Sequence, residues 1–173
     1  AHWIRLENDE GWGEGTIPFY YGISNESMRS YWEKAAERQD PFPEEIAAIP
    51  EWIGAEGPIP ARAALDLAFH DRIGKMRGLP VYKLLEFPDP KPMVTSYTIS
   101  IDTPEAMAKM ALKIKNFPYI KIKLGAPGQE SLDEARLAAI RDVGPDAKLR
   151  IDANAGWKPM DAVRMIRQIE KFD

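Results

Sequence analysis

From Met93 onward the chain alternates three times between a short β-branched run and a helix-forming stretch. "MVTSYTISI" leads into "TPEAMAKMALKI", "YIKIKLG" into "SLDEARLAAIRDVG", and "AKLRIDA" into "KPMDAVRMIRQIEKF". Strands joined through helices pair in parallel, so this order predicts a parallel sheet with helices packed against it. Thr103 stands as N-cap before Pro104 at the first helical position, Ser131 with Glu134 reads as a capping box, and Gly144 as a stop. The strands are not continuously apolar, since lysine alternates with isoleucine in "KIKL" and charge with aliphatic residues in "KLRID". An open sheet covered on both faces would press those charges against helices, whereas a barrel turns one face of each strand into its lumen. The expected fold class is α/β, with residues 93–173 forming the first three βα units of a partial TIM-type (β/α) barrel.

Residues 1–88 have another rhythm and read as a separate α+β domain. The opening "AHWIRLENDEGWGEG" reads as a strand carrying Trp3, Ile4 and Leu6 into a Gly-rich turn. Ser24 to Gln39 has helical composition, with Met28, Tyr31, Trp32 and Ala35 on one stripe. "DPFPEEIAAIPEWI" reads as a short helix limited by Pro50. "GPIPARAALDLAFHDRIGKMRG" gives the clearest helix, with Ala64, Leu65, Ala68, Phe69 and Ile73 as its apolar face and Gly78 as its stop. "VYKLLEF" reads as a short helical turn, and "PDPKP" (88–92) as a proline-stiffened linker. The chain has no initiator methionine and closes on an amphipathic helix, which reads as a fragment cut at both ends.

A net charge of −4 and the lack of a basic stripe argue against nucleic acid as a partner. No apolar run approaches a transmembrane length, so no membrane partner is expected and a cytoplasmic location is the default. With no cysteine, disulfides and thiolate metal sites are excluded.

In an α/β barrel the chemistry sits where the strands end. The three strand ends here present Thr98 and Ser100, then Lys121 and Lys123, then Asp152 and Asn154. Period-two alternation puts both lysines on one face and Asp152 on the same side. Such a cluster reads either as an ion-pair network filling a barrel mouth or as a catalytic group. The catalytic reading has a logic. A lysine base needs its pKa lowered from about 10.4 toward neutrality, and a second ammonium does that by repulsion. A nearby carboxylate undoes the effect unless a metal ion occupies it, and a divalent cation there would also stabilise an enolate.

"YIKIKLG" followed 29 residues on, lysine to aspartate, by "LRIDANAGW" resembles the enolase superfamily, muconate-lactonizing subgroup. "GWGEG", "FYYG" and "PARAALDLAFHDRIGKMRGLPVYKLL" resemble that subgroup's capping domain, and "VTSYTISIDTPEAMA" is most similar to dipeptide epimerases of the Ala-Glu type. The resemblance implies a partial capping domain at 1–88 and three barrel units at 93–173. It implies a racemase or epimerase that abstracts the proton alpha to a carboxylate, with Mg2+ as cofactor and a small carboxylate, a dipeptide, as substrate. Lys123 would be the acid/base, Lys121 would tune it and hold the substrate carboxylate, Thr98 would contact substrate, and Asp152 would ligate the metal. Asn154 would be a neighbouring polar group, and Ala155 replaces the glutamine usual in "DANQGW". A homo-oligomer is common in the family. Two further carboxylate ligands and an opposing lysine would lie outside this chain, so the chain alone is expected to be inactive. The alternatives are a cycloisomerase or dehydratase-like elimination, or a degenerate barrel that only binds. His70, Met107, Met110 and Trp157 are expected to be structural, and Glu14 to sit at a turn or an interdomain contact.

Overall fold

The computed structural model describes residues 1–144 and 146–172. The chain divides into two compact units, Ala1–Lys91 and Pro92–Asp173.

In the first unit β1 (His2–Arg5) pairs antiparallel with β2 (Trp12–Gly15), with Ile4 opposite Gly13. Helices α1 (Asn25–Ala36), α2 (Ile49–Ile53), α3 (Ile59–Arg77) and α4 (Val81–Leu84) follow. Ser24 caps α1, its Oγ accepting from the Ser27 N–H at 3.0 Å, which satisfies one of the free donors at a helix start. Pro50, expected to limit a helix, instead lies in the first turn of α2, where its missing N–H costs nothing. The anticipated face of α3 is the core: Ala64, Leu65, Ala68, Phe69 and Ile73 are buried, and Gly78 closes the helix at φ +62°.

"GWGEG" is a strand rather than the expected turn. Its glycines serve close approach to a helix. A Cβ on Gly11 would lie 2.2 Å from the Ala68 carbonyl oxygen, one on Gly13 1.8 Å from that of Ala64, and one on Gly15 2.6 Å from that of Pro60. Alternate strand residues advance about 6.7 Å and every fourth helical residue about 6 Å, so the Gly-x-Gly-x-Gly row meets the Pro60-Ala64-Ala68 row step for step. Bare backbone on bare backbone lets the strand lie directly on α3.

In the second unit β3 (Ser96–Ile99), α5 (Pro104–Lys113), β4 (Tyr119–Lys123), α6 (Asp133–Asp142), β5 (Lys148–Asp152) and α7 (Pro159–Ile169) alternate as anticipated. The sheet is parallel in the order β3-β4-β5. Ile99, Ile120, Ile122 and Leu124 are buried with Met107, Leu137, Ile140 and Met165 of the helices, and Met110 packs against the same core. Thr103 caps α5 through Oγ1, which accepts from the Ala106 N–H at 3.2 Å.

The capping box of Ser131 and Glu134 does not form. A 3-10 turn, Glu130–Leu132, runs straight into α6, whose N-cap is Leu132 with no side-chain bond. The turn makes Asp133 the first helical residue, and its carboxylate bonds Arg136 of the same helix as well as groups outside it. The described residues of the second unit supply three strands and no closed barrel. Among them no helix is long and apolar enough to cross a membrane.

Candidate active site

Register decides what the polar face of the three-stranded sheet gathers. Thr98 pairs with Lys121 and Lys121 with Arg150, while Lys123 pairs with Asp152. Paired residues in a sheet point the same way, so these five side chains share the face opposite the helix-packed core. The last row, Lys123 and Asp152, lies at the C-terminal ends of β4 and β5.

The two lysines converge on one atom. Oδ2 of Asp152 accepts from Lys121 Nζ at 2.7 Å and from Lys123 Nζ at 2.8 Å. Oδ1 of the same carboxylate accepts from the Asn154 N–H at 2.9 Å. Lys123 Nζ also donates to Asn154 Oδ1 at 2.6 Å. The Lys121 and Lys123 ammonium groups, followed by the Asn154 N–H, hold the Asp152 carboxyl well below the usual carboxylate range. All three side chains keep a quarter to a third of their surface in solvent, so a small molecule can reach them.

The backbone after Asp152 is bent to make this possible. Asn154 and Ala155 both adopt positive φ, +48° and +58°. Asparagine tolerates that region through local side-chain bonding, but alanine has no such compensation. Strain of this kind concentrates where a site needs it. The turn also brings Gly156 so close to the Gly125 carbonyl oxygen that a Cβ on Gly156 would lie 1.9 Å from it.

Lys121, Lys123, Asp152 and Asn154 therefore meet as a group, and Thr98 stands exposed in the same face, register partner of Lys121. Asn154, expected only as a neighbour, is a direct partner of Lys123. His70 lies in the other unit, where Nδ1 contacts the Asp66 carbonyl oxygen at 2.9 Å and Asp66 Oδ2 at 3.4 Å. It lines an open cavity of about 610 Å³ with Trp3, Trp12 and Glu14. Glu14 belongs to β2, its carboxylate accepting from the Thr16 hydroxyl at 3.2 Å. Trp157 donates its indole N–H to Asp133 Oδ2 at 3.0 Å. Sequence reasoning missed Asp133 and Arg136, which are buried as a pair behind this site. The only signal in the chain was two charges on the face of α6 that also carries Leu137 and Ile140.

The donors beside the lysines are oxygens, the type a hard divalent cation takes. A single carboxylate already shared by two ammonium groups does not complete such a site. Among the described residues no group of three His, Cys, Asp or Glu side chains could hold a metal ion.

Residues 105–173 match the family described as "Enolase C-terminal domain-like". The chain is 37% identical over 182 residues to the hydrophobic dipeptide epimerase of Enterococcus faecalis, covering 98% of this chain and 50% of that one. It is 34% identical over 158 residues to the L-Ala-D/L-Glu epimerase of Bacteroides thetaiotaomicron, covering 90% and 40% respectively. Its structure is similar to that of a Cytophaga hutchinsonii dipeptide epimerase complexed with Mg and the dipeptide D-Ala-L-Val. That likeness has a TM-score of 0.79 at 29% identity and covers 94% of this chain and 46% of the other. The chain thus spans about half the length of the curated relatives it matches.

Proposed function

We propose, for a chain whose residues 105–173 are part of an enolase C-terminal-like domain, that the protein is an isomerase moving the proton alpha to a carboxylate, an epimerase acting on a dipeptide. The observation that carries this reading is the convergence of Lys121 and Lys123 on Oδ2 of Asp152 at the ends of adjacent parallel strands. The similarity to dipeptide epimerases supports the choice of substrate class. On this reading residues 93–173 are the first three βα units of a barrel, and residues 1–88 are part of a capping domain.

Lys123 Nζ takes the proton from the substrate α-carbon and can return it to the same face. It does so as the free amine. Lys121 holds the substrate carboxylate by a charge-assisted bond, and Thr98, beside it in register, offers a hydroxyl to the substrate. Asn154 Oδ1 accepts from Lys123 Nζ and fixes where that nitrogen sits. Asp152 would offer one oxygen ligand to magnesium, which when bound would supply positive charge to stabilise negative charge on the substrate carboxylate. Epimerisation also needs a proton donor on the opposite face of the α-carbon.

The test uses the protein expressed from its complete reading frame. Incubation with L-Ala-L-Glu and with hydrophobic dipeptides in D2O, followed by proton NMR, should show loss of the α-proton signal and appearance of the diastereomer. EDTA should stop both. Absence of exchange across the panel, in a protein that folds and binds Mg2+, would sink the reading.

A further inference from the structure

Behind the lysines lies a fully buried pair of charges. Asp133 is 0% and Arg136 1% exposed, and Arg136 Nη1 donates to Asp133 Oδ1 at 2.9 Å. Taking two charges out of water costs more than their attraction commonly returns, so packing alone does not account for them. A carboxylate in the first turn of a helix ordinarily caps that helix's own N–H groups. Asp133 reaches two other segments instead. Its Oδ2 accepts from the Gly125 N–H at 3.0 Å, two residues beyond Lys123, and from the Trp157 indole N–H at 3.0 Å, three residues beyond Asn154. Arg136 completes the set. Its Nε donates to the Asp102 carbonyl oxygen after β3 at 2.8 Å, and its Nη2 donates to Gln129 Oε1 after β4 at 2.6 Å.

We propose that Asp133, seated on Arg136, is a positioning residue for the site: it ties the backbone leaving β4 to the Trp157 side chain in the segment after β5 and so sets the contact between Lys123 and Asp152. Two features make the tie rigid. The β4–β5 ladder continues through the Leu124 N–H, which donates to the Asp152 carbonyl oxygen at 3.1 Å. Gly125 also lies at φ +77°, where a Cβ would come 2.7 Å from the Ala153 carbonyl oxygen. The two exits are therefore in backbone contact, and Asp133 bonds the Gly125 N–H of one and the Trp157 indole that follows the other. Lysine has a long, flexible stem, so where Nζ stands depends on the strand end that carries it. A displacement of about 1 Å at such a group can cost roughly a hundredfold in rate.

This inference rests on the epimerase reading for its rate test, but its structural test stands apart from it. Trp157→Phe removes one donor from Asp133 while leaving the buried pair intact, and Asp133→Asn removes the charge. The protein from the complete reading frame is compared with both variants by three measurements: hydrogen exchange at the Gly125 amide, a crystal structure, and kcat and KM for dipeptide epimerisation. The expected result for folded Trp157→Phe is faster exchange at Gly125 with unchanged exchange at Ile122, a lengthened Lys123–Asp152 contact, and kcat lowered roughly tenfold or more with KM within about twofold. A variant with lower melting temperature but unchanged kcat and an unchanged contact would make the cluster merely structural and overturn the proposal. Should Asp133→Asn fail to fold, Trp157→Phe decides alone. Should the wild-type protein turn over no dipeptide, the epimerase reading fails, and the Lys123–Asp152 distance in the variant still decides the positioning role.

Discussion

Lys123 and Asp152 are direct register partners on adjacent parallel strands, and their side chains meet 2.8 Å apart at the strand ends. Because β4 and β5 run in parallel, residues far apart in the chain arrive at the same rim with the same facing. Lys121, one row back, reaches the same carboxylate oxygen.

Replacing Lys123 with methionine should abolish dipeptide α-proton exchange by roughly 10²–10⁴-fold, the range for loss of a general acid/base. The fold should persist, since the side chain stands on the polar face of the sheet and leaves the apolar core untouched. Lys121→Met should act more on KM, because the role proposed for it is to hold the carboxylate. Exchange rates in D2O by proton NMR, with circular dichroism as control, separate the two.

Stability should fall in acid through Asp152. Its folded pKa lies below its unfolded value, so its contribution is full above the unfolded pKa of about 3.9 and is lost as pH falls through the folded value. A melting-temperature series below about pH 4 should therefore be steeper for the wild type than for Asp152→Asn. At neutral pH that variant should melt lower, because it leaves Lys121 and Lys123 facing each other uncompensated. Added salt should narrow the difference, since a third of the carboxylate surface is in solvent. Parallel curves for the two proteins would contradict the ion-pair account.

Gly13→Ala should cost about 3 kcal/mol, because its Cβ would collide with the Ala64 carbonyl oxygen and the strand would have to lift from α3. Gly22→Ala is the control. Nothing lies within 4 Å of a Cβ there, so only the positive φ of +66° opposes it, at about 1 kcal/mol. Denaturant melts of the two variants measure the gap.

Ala155→Gly should stabilise by about 1 kcal/mol, since alanine at φ +58° carries steric strain that glycine lacks. The residue is exposed, so no packing is lost in exchange. A lowered midpoint in urea would show that the αL strain is not what the position costs.

Much of this site was legible before folding. Period-two alternation placed Lys121, Lys123 and Asp152 on one face, and three strand–helix repeats placed them at one rim. Thr103 also acts as the expected N-cap, because a cap bonds an N–H only two or three residues away. The capping box at Ser131 followed the same local rule and failed. The 3-10 turn at Glu130–Leu132 carries the helix past it, and Asp133 bonds Gly125 and Trp157 instead of capping α6.

What the amino-acid sequence determined by itself is everything that depends on neighbours: the order of strands and helices, the face each side chain takes, and the charges gathered at the strand ends. Tertiary structure alone decided that the glycines of "GWGEG" are a landing strip for α3, that Asn154 binds Lys123, and that Asp133 reaches two loops. Each of those contacts joins segments separated along the chain, Gly13 to Ala64, Lys123 to Asn154, and Asp133 to Trp157. Periodicity reports which way a residue points, and only the packed chain reports what it meets there.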